Sequence, residues 1–230
     1  MNSCTSLASV LIAAVLAAGS PAAFADKGTI THLVGALSSK KADGSLRLLA
    51  ERSEVVAGDT LVTERDTFAN IRFADGGQLT LKPSSSVTIE SLQYEPSKPK
   101  EDSFILRLVS GGLRLVTGEV GNRSRHKFVL RTATVTIGIR GTVFSVDDCL
   151  TSSEGCGKLE PGVYVGVTDG AVELSSGAVR LILASGQFSR IGRDLTPRRT
   201  LNPGLGFTPP PSFLQPSATG PRPVECVLRR

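Results

Sequence analysis

Apolar and polar side chains alternate along most of this chain, and this alternation constrains the fold more than any other feature of the sequence. Short examples are Gln78-Leu79-Thr80-Leu81 and Val87-Thr88-Ile89. A period of two places successive side chains on opposite faces of a β-strand. No segment of ten or more residues between positions 27 and 192 shows the apolar stripe of an amphipathic helix. The sequence therefore predicts an all-β domain.

Pairs of a polar residue and a glycine interrupt the alternation at Asp75-Gly76, Ser110-Gly111, Asp169-Gly170, Ser176-Gly177 and Ser185-Gly186. Glycine adopts positive φ without steric penalty, so each pair is expected to bend the chain and start a new strand. Hairpins and the successive corners of a coiled β-structure both fit this pattern. Strands are predicted near 29–36, 46–50, 60–63, 67–74, 77–82, 86–91, 104–109, 112–117, 127–139, 142–147, 162–168, 170–175, 178–184 and 186–191.

Both ends of the chain differ from this β region. Residues 1–25 carry no charged side chain, and their apolar run, 7–18, is 12 residues long. A membrane span takes about 20 apolar residues. Ala23-Phe24-Ala25 fits the cleavage rule for signal peptidase. We therefore expect a signal peptide over 1–25, cleaved near Ala25, and a periplasmic or secreted protein with no membrane span in its mature chain; a membrane anchor is the alternative.

Prolines are concentrated at the other end, where residues 197–223 hold eight of the 13 in the chain. Proline removes the backbone donor that a β-ladder needs and favours extended polyproline geometry. The predicted organisation is thus a signal peptide over 1–25, a β domain over 26–194 and a disordered, proline-rich tail over 195–230.

The predicted export determines how the cysteines are interpreted. Cys149, Cys156 and Cys226 remain after residue 25, and an oxidising compartment permits disulfides. Cys149 and Cys156 bracket a short polar loop, so we predict that they pair, although two other connectivities are possible. A zinc site is the rival interpretation, but it lacks nearby histidines.

The segment TATVTIGIRGTVFSV, residues 132–146, contains a slip in the alternation. Ile137 and Ile139 share one parity, whereas Phe144 and Val146 have the other. A one-residue slip moves every side chain to the opposite face of a sheet, unless a bulge or corner absorbs it. Gly138 and Gly141 are suited to such a bulge.

Arg140 lies at this slip. A buried, unpaired charge is very unfavourable, so its guanidinium should reach carbonyl oxygens or a carboxylate. It either fastens the corner or contacts a ligand. The candidate partners are Asp59, Asp75 and Asp169.

Charge and histidine content argue against several functions. The stretch from Arg107 to Arg140 contains one acidic residue, Glu119, and seven basic ones: Arg107, Arg114, Arg123, Arg125, Lys127, Arg131 and Arg140. We interpret them as a solvated outer face or as a docking patch for an acidic partner. Neither His32 nor His126 lies in a recognisable catalytic pattern, and Asp147-Asp148 near Glu154 lack the spacing of a calcium loop. We predict no catalytic residue, cofactor, metal or nucleic-acid partner.

Seven segments, in order and spanning about 30–191, resemble the FecR-type domain family, named after the periplasmic regulator of ferric citrate uptake. They are GDTLVT at 58–63, ANIRFADGG at 69–77, LTLKP at 79–83, LVSGGLRL at 108–115, the 132–146 segment itself, VGVTDGAV at 165–172 and ASGQ at 184–187. The resemblance implies a solenoid-like or double-stranded β-helical stack of short strands, with a β-sandwich as the alternative. It marks Gly138, Arg140, Gly141 and Thr142, together with the three aspartates, as structural or partner-binding positions.

Regulators of this family resemble a relay in which a cytoplasmic segment holds a sigma factor and a periplasmic domain meets the signalling domain of a TonB-dependent receptor. This sequence shows neither the cytoplasmic segment nor the spanning helix. The resemblance therefore implies a non-catalytic binding or scaffolding module of the cell envelope, with a protein or envelope partner. The alternatives are an accessory regulator of iron-responsive signalling that acts in trans and an envelope hydrolase.

Overall fold

The structure, a computed structural model, describes residues 26–151 and 156–204, without the side chains of Arg125 and Arg140. The predicted signal peptide, Glu154, most of the predicted tail and Cys226 lie outside these residues. The described strands are β1 Lys27–Val34, β2 Leu37–Lys40, β3 Leu46–Leu49, β4 Glu54–Val56, β5 Thr60–Thr63, β6 Phe68–Phe73, β7 Gln78–Leu81, β8 Ser86–Gln93, β9 Ser103–Val116, β10 Phe128–Arg131, β11 Thr136–Asp148, β12 Val163–Ser176, β13 Val179–Ala184, β14 Phe188–Ile191 and β15 Pro197–Thr200. One helix, α1 Glu119–Arg123, lies between β9 and β10, and 3-10 turns cover Pro99–Glu101 and Arg125–Lys127. The all-β prediction is confirmed.

The strands form one continuous sheet with two wings. The first wing runs β3-β2-β5-β8-β9-β10-β11-β12-β13, and the second runs β4-β1-β6-β7-β9-β11-β12-β14-β15. The long strands β9, β11 and β12 belong to both wings because each changes its hydrogen-bonded neighbours partway along. Only β9 and β10 pair in parallel; the other described pairs are antiparallel.

Each long strand bends at a glycine. Gly111, Gly141 and Gly170 have φ angles of 79°, 60° and 78° in β9, β11 and β12. Two of the polar-glycine pairs predicted to start new strands therefore lie inside continuous strands. The prediction was wrong at Ser110-Gly111 and Asp169-Gly170 because the same local signal produces a bend when the chain keeps its direction and changes its neighbours.

The buried faces of both wings form a single hydrophobic core. Phe73 of the second wing meets Phe104 of the first edge-on, with ring centroids 4.7 Å apart, and Phe104 stacks on Phe128 at 4.3 Å. Burial of a side chain of this size stabilises a fold by roughly 1.5–3 kcal/mol. The alternation seen in the sequence thus fills the space between two facing wings.

Two boundaries differ from the predicted ones. The predicted strand over 127–139 is a hairpin, in which the hydroxyl of Thr132 accepts hydrogen bonds from the backbone N–H groups of Thr134 and Val135, both at 3.1 Å. The β structure also continues past residue 194, because β15 pairs with β14. Pro197 occupies an edge strand, where its missing N–H is tolerated.

The predicted disulfide between Cys149 and Cys156 is present, with Cα atoms 5.8 Å apart. It packs against Tyr164 at the start of β12. Within residues 26–151 and 156–204, no helix has the length and apolarity needed to span a bilayer.

Candidate functional site

The bend in β11 is the slip seen in the sequence. Its pairing with β12 shifts register between Arg140 and Val143 and again before Phe144. Ile139 on one side of the shift and Phe144 on the other are both buried. The bulge thus keeps the apolar side chains in the core although their parity changes, as predicted.

Backbone contacts hold this bend tightly. A methyl group added to Gly170 would overlap the carbonyl oxygen of Gly141, so the bends of β11 and β12 lie against each other. The backbone N–H of Thr142 donates to the hydroxyl of Thr117 at 2.7 Å, and the hydroxyl of Thr142 donates to the carbonyl of Ala171 at 2.8 Å. Gly141 and Thr142 therefore have structural roles that their contacts explain.

Helix α1 supports the bend from outside, with the side-chain oxygen of Asn122 lying 2.5 Å from the position that a Cβ of Gly141 would take. A helix of five residues is not stable alone. Asp75 holds its start, because the carbonyl and the carboxylate of Asp75 accept the backbone N–H groups of Glu119 and Val120 at 2.9 and 3.3 Å.

Asp102 holds the end of α1 through Arg123. The guanidinium donates to both carboxylate oxygens of Asp102 at 2.9 Å, and the hydroxyl of Ser124 donates to one of them at the same distance. Asp102 is fully buried. Sequence reasoning missed this aspartate, since the stretch KEDSF carries no motif that separates it from its acidic neighbour Glu101.

These two aspartates have opposite pKa shifts. Burial raises the pKa of Asp75, and the hydrogen bonds from Gly77 and Val120 only partly offset this effect. Burial also acts to raise the pKa of Asp102, but the hydrogen bonds from Arg123 and Ser124 outweigh it and hold the pKa below its usual value. The carboxylate form of Asp102 is therefore stabilised relative to a free aspartate, whereas that of Asp75 is destabilised.

The predicted partners of Arg140 lie in three different environments, and the Arg140 side chain itself is outside the described residues. The carboxylate of Asp59 is buried and accepts from the hydroxyl of Ser39 at 2.8 Å and the N–H of Val56 at 3.0 Å. Asp75 serves α1. Asp169 is exposed and pairs with Val143 in the bend, so it lies beside β11. Contact of Arg140 with Asp169 stays a prediction.

The outer face of the first wing is a broad polar surface. One cross-strand row of side chains runs from β3 to β13 through Leu46, Lys40, Thr60, Thr88, Arg107, Arg131, Thr136, Ser175 and Arg180. At its centre Glu90 accepts hydrogen bonds from both Arg107 and Arg131. Two arginines share one carboxylate, so this part of the face keeps one positive charge.

Gly138 lies on this outer face, between Val129 of β10 and Glu173 of β12. Its φ is not in the left-handed region. A Cβ added there would meet no described atom closer than 3.8 Å, the carbonyl oxygen of Glu173. Neither the backbone nor the packing of the described residues requires glycine here, in contrast to Gly141.

The structure divides the basic run that was interpreted as a solvated outer face or a docking patch. Arg107 and Arg131 lie on the outer face of the first wing, but Arg123 is committed to buried Asp102. Arg114 belongs to the second wing and is partly buried, which lowers its pKa.

The neighbouring acids Asp147 and Asp148 are both buried. Asp147 pairs with Lys82 at 2.7 Å, and burial raises the pKa of Asp147 despite this partner. Asp148 accepts the N–H groups of Leu150 and Thr151 at 2.9 and 3.2 Å, where the disulfide loop begins. Both carboxylates thus serve the fold.

His32 lies on β1, and His126 is exposed in the turn after α1. Over the part of the chain that the structure describes, no three His, Cys, Asp or Glu side chains are grouped as metal ligands would be.

Comparison with known proteins gives one family and two solved structures. The sequence model of the family described as FecR protein matches residues 59–180, more than half of the chain. Two crystal structures of a candidate anti-sigma factor from Parabacteroides distasonis ATCC 8503, at 2.50 and 1.65 Å, are similar with TM-scores of 0.46 and 0.47 and identities of 14% and 13%. The similarity covers 62% of this chain and 59% of each of those chains. No curated protein matches the chain.

Proposed function

Because the chain belongs to the FecR family, we propose that it is a protein-binding module of the bacterial cell envelope, which holds a partner in a signalling relay and catalyses no reaction. The partner contacts the outer face of the first wing, around Gly138. Its position in the envelope follows from the signal peptide predicted over residues 1–25.

The observation that carries this proposal is that neither the backbone nor a clash with any described atom requires glycine at position 138. Glycine in the middle of a strand destabilises it by roughly 0.5–1 kcal/mol relative to alanine. A strand glycine that neither a positive φ nor a close neighbour requires is typical of a site where another molecule approaches the backbone closely. A bare backbone on an exposed sheet face lets a partner come nearer than any side chain would permit.

The surroundings of Gly138 suit a protein partner. Val129 is half-buried beside it, and Arg131 and Thr136 are the next pair on the same face of the two strands. Arginine and apolar side chains together are typical of protein interfaces, whereas lysine is depleted in them. The positive charge left by Arg107, Arg131 and Glu90 favours a partner with an acidic surface.

The test is capture of envelope proteins by the immobilised full chain and by Gly138→Thr. A threonine suits an exposed strand, so we expect this variant to fold with unchanged or higher stability. We expect its retention of the partner to fall at least about tenfold, or about 1.4 kcal/mol. Mass spectrometry identifies the retained protein, and recovery of a TonB-dependent receptor would assign the relay to iron-responsive signalling.

Arg72→Thr is the matched control, because Arg72 is exposed on β6 of the second wing. It places the same side chain on the opposite outer face and should leave retention unchanged. A purified partner that bound the wild type and Gly138→Thr with equal affinity would contradict the proposed site. Turnover of an envelope substrate by the purified chain would contradict the non-catalytic role.

A further inference from the structure

A cleft of about 420 Å³ lies at the hairpin of β14 and β15. This hairpin follows residue 180, where the family match ends. Four arginines and two acids line the cleft, namely Arg190, Arg193, Arg198, Arg199, Glu160 and Asp194. The side chains leave an excess of two positive charges.

The hairpin brings like charges together. Arg190 of β14 is directly opposite Arg198 of β15, an arrangement that is destabilising unless anions compensate it. Glu160 pairs with Arg190 at 2.9 Å, and Asp194 pairs with Arg198 at 2.8 Å. Both carboxylates are largely exposed, with side-chain exposures of 76% and 49%, so water weakens these pairs.

The other two guanidinium groups have no carboxylate within ion-pair distance among the described residues. Arg193 is exposed at the turn of the hairpin. Arg199 crosses to the first wing, where it donates to the carbonyl of Ile182 on β13 at 3.0 Å. The cleft therefore has two cationic groups available for an incoming anion and a direct connection to β13.

Strand β13 adds apolar surface beside the cleft. Among the described strands it pairs only with β12, so no strand covers its other edge. Ile182 is 49% exposed on its outer face. Ile182 lies opposite Glu173, which in turn lies opposite Gly138, so the outer face of the first wing continues to this edge.

We propose that the cleft binds an acidic segment of a partner protein, with carboxylates on Arg193 and Arg199 and an apolar side chain on Ile182. This inference rests on the proposed function and specifies the chemistry of the partner. Guanidinium groups bind carboxylates in paired hydrogen bonds. An inorganic oxyanion would use the arginines alone, whereas a peptide uses the arginines and the apolar edge together.

The experiment measures binding of a short fluorescein-labelled peptide in which Glu alternates with Leu. The same peptide with Gln in place of Glu, and inorganic phosphate as competitor, separate the possible ligands. We expect the Glu peptide to bind at least about tenfold more tightly than the Gln peptide, and binding to weaken as salt rises. The double variant Arg193→Glu, Arg199→Glu should weaken binding at least about tenfold.

The control is Lys98→Glu, Lys100→Glu, which makes the same charge change at two exposed lysines in the loop before β9 and should leave the affinity within about twofold. Arg193→Gln alone keeps the test decisive if the double variant unfolds. Equal binding of the Glu and Gln peptides, unchanged binding by the arginine variants, or full competition by phosphate at the peptide's concentration would overturn the inference.

The two proposals fail separately. If Gly138→Thr abolishes capture of the partner but the Glu peptide does not bind, only the acidic-segment inference is wrong. If the peptide binds through Arg193 but no partner depends on Gly138, the site in the proposed function is wrong and the cleft is retained.

Discussion

Gly138 and Gly141 lie three residues apart on one strand but differ in backbone conformation and in the atoms that surround them. Gly141 has φ +60°, and Asn122 of α1 and Gly170 of β12 lie against it. Gly138 has an ordinary strand backbone, and a Cβ added to it would make only a normal contact, 3.8 Å from the carbonyl oxygen of Glu173. The fold explains why position 141 is glycine, but it does not explain the glycine at position 138. Only a residue that the fold does not explain carries information about binding.

The same division holds for the regions around the two glycines. At the bend, the hydroxyls of Thr117 and Thr142 and the two aspartates that hold α1 all have partners within the protein. On the outer face, polar side chains such as Thr136 are directed to solvent. We therefore expect substitutions at the bend to change stability, and substitutions on the face to change binding.

Gly170→Ala tests the bend most severely. The new methyl group would overlap the carbonyl oxygen of Gly141, a backbone atom that cannot rotate away, at a residue with φ +78°. We expect a loss of about 2–5 kcal/mol from overpacking and left-handed strain together. Urea denaturation measures it. Gly177→Ala is the control, since its φ is +55° but nothing lies within 4 Å, and it should lose only about 1 kcal/mol. Equal losses would show that the bends are not packed together.

Asp102→Asn tests how α1 supports the bend. The unfolded chain has the usual aspartate pKa of about 3.9, and the folded pKa is lower because of Arg123 and Ser124. The stabilisation is therefore fully present above about pH 4 and is lost as the pH falls through the folded pKa. We expect the variant to be about 1–3 kcal/mol less stable at pH 7, with a difference that shrinks below pH 4.

The measurement is the difference between wild-type and Asp102→Asn unfolding free energies from pH 7 to pH 2. A difference curve is needed because Asp75 and Asp147, whose pKa values are raised, act in the opposite direction as the pH falls. A difference independent of pH would mean that Asp102 is not held as a carboxylate by Arg123.

How much of this could be read from the sequence depends on the range of the interactions. The strand class, the disulfide and the slip at Gly141 follow from local alternation and spacing, and they are confirmed. The continuity of β9 and β12 through Gly111 and Gly170 depends on which neighbours pair beyond each bend, which no local pattern encodes.

The candidate site was also only partly predictable, because several of its contacts join residues that are distant in sequence. Asp75 was identified because it belongs to a turn, but its role at α1 comes from a residue 45 positions away. Asp102 and the cleft at Arg190 and Arg198 were missed, since their partners are joined only by the fold. The special position of Gly138 could not be separated from that of Gly141 by sequence, because both appear as glycines beside one slip.

Thr142→Val should have a moderate effect. Valine keeps the shape of threonine but removes the hydroxyl that donates to the carbonyl of Ala171. Because Thr142 is buried, we expect a loss of about 1–2 kcal/mol in thermal or urea unfolding. Thr136→Val is the control on the same strand, since Thr136 is exposed, and it should change stability by less than about 0.5 kcal/mol. A larger loss of stability for Thr136→Val than for Thr142→Val would mean that the outer face, and not the bend, determines stability.

The smallest expected change has the opposite sign and tests the comparison directly. Gly138→Ala should raise the free energy of unfolding by about 0.5–1 kcal/mol, because alanine reduces the freedom of the unfolded chain and meets no described atom closer than 3.8 Å. Gly141→Ala should lower it by about 1–2 kcal/mol, since φ +60° is left-handed.

Both alanine variants are measured by urea denaturation under one set of conditions, so that the sign of each change is secure. A gain at Gly138 would mean that the natural residue forgoes stability that its own strand offers, which is reasonable only if something outside the fold requires a bare backbone there. A loss at Gly138 comparable to that at Gly141 would mean that the fold itself requires glycine at both positions. The face would then have no residue that points to a partner, and the proposed binding site would lose its principal support.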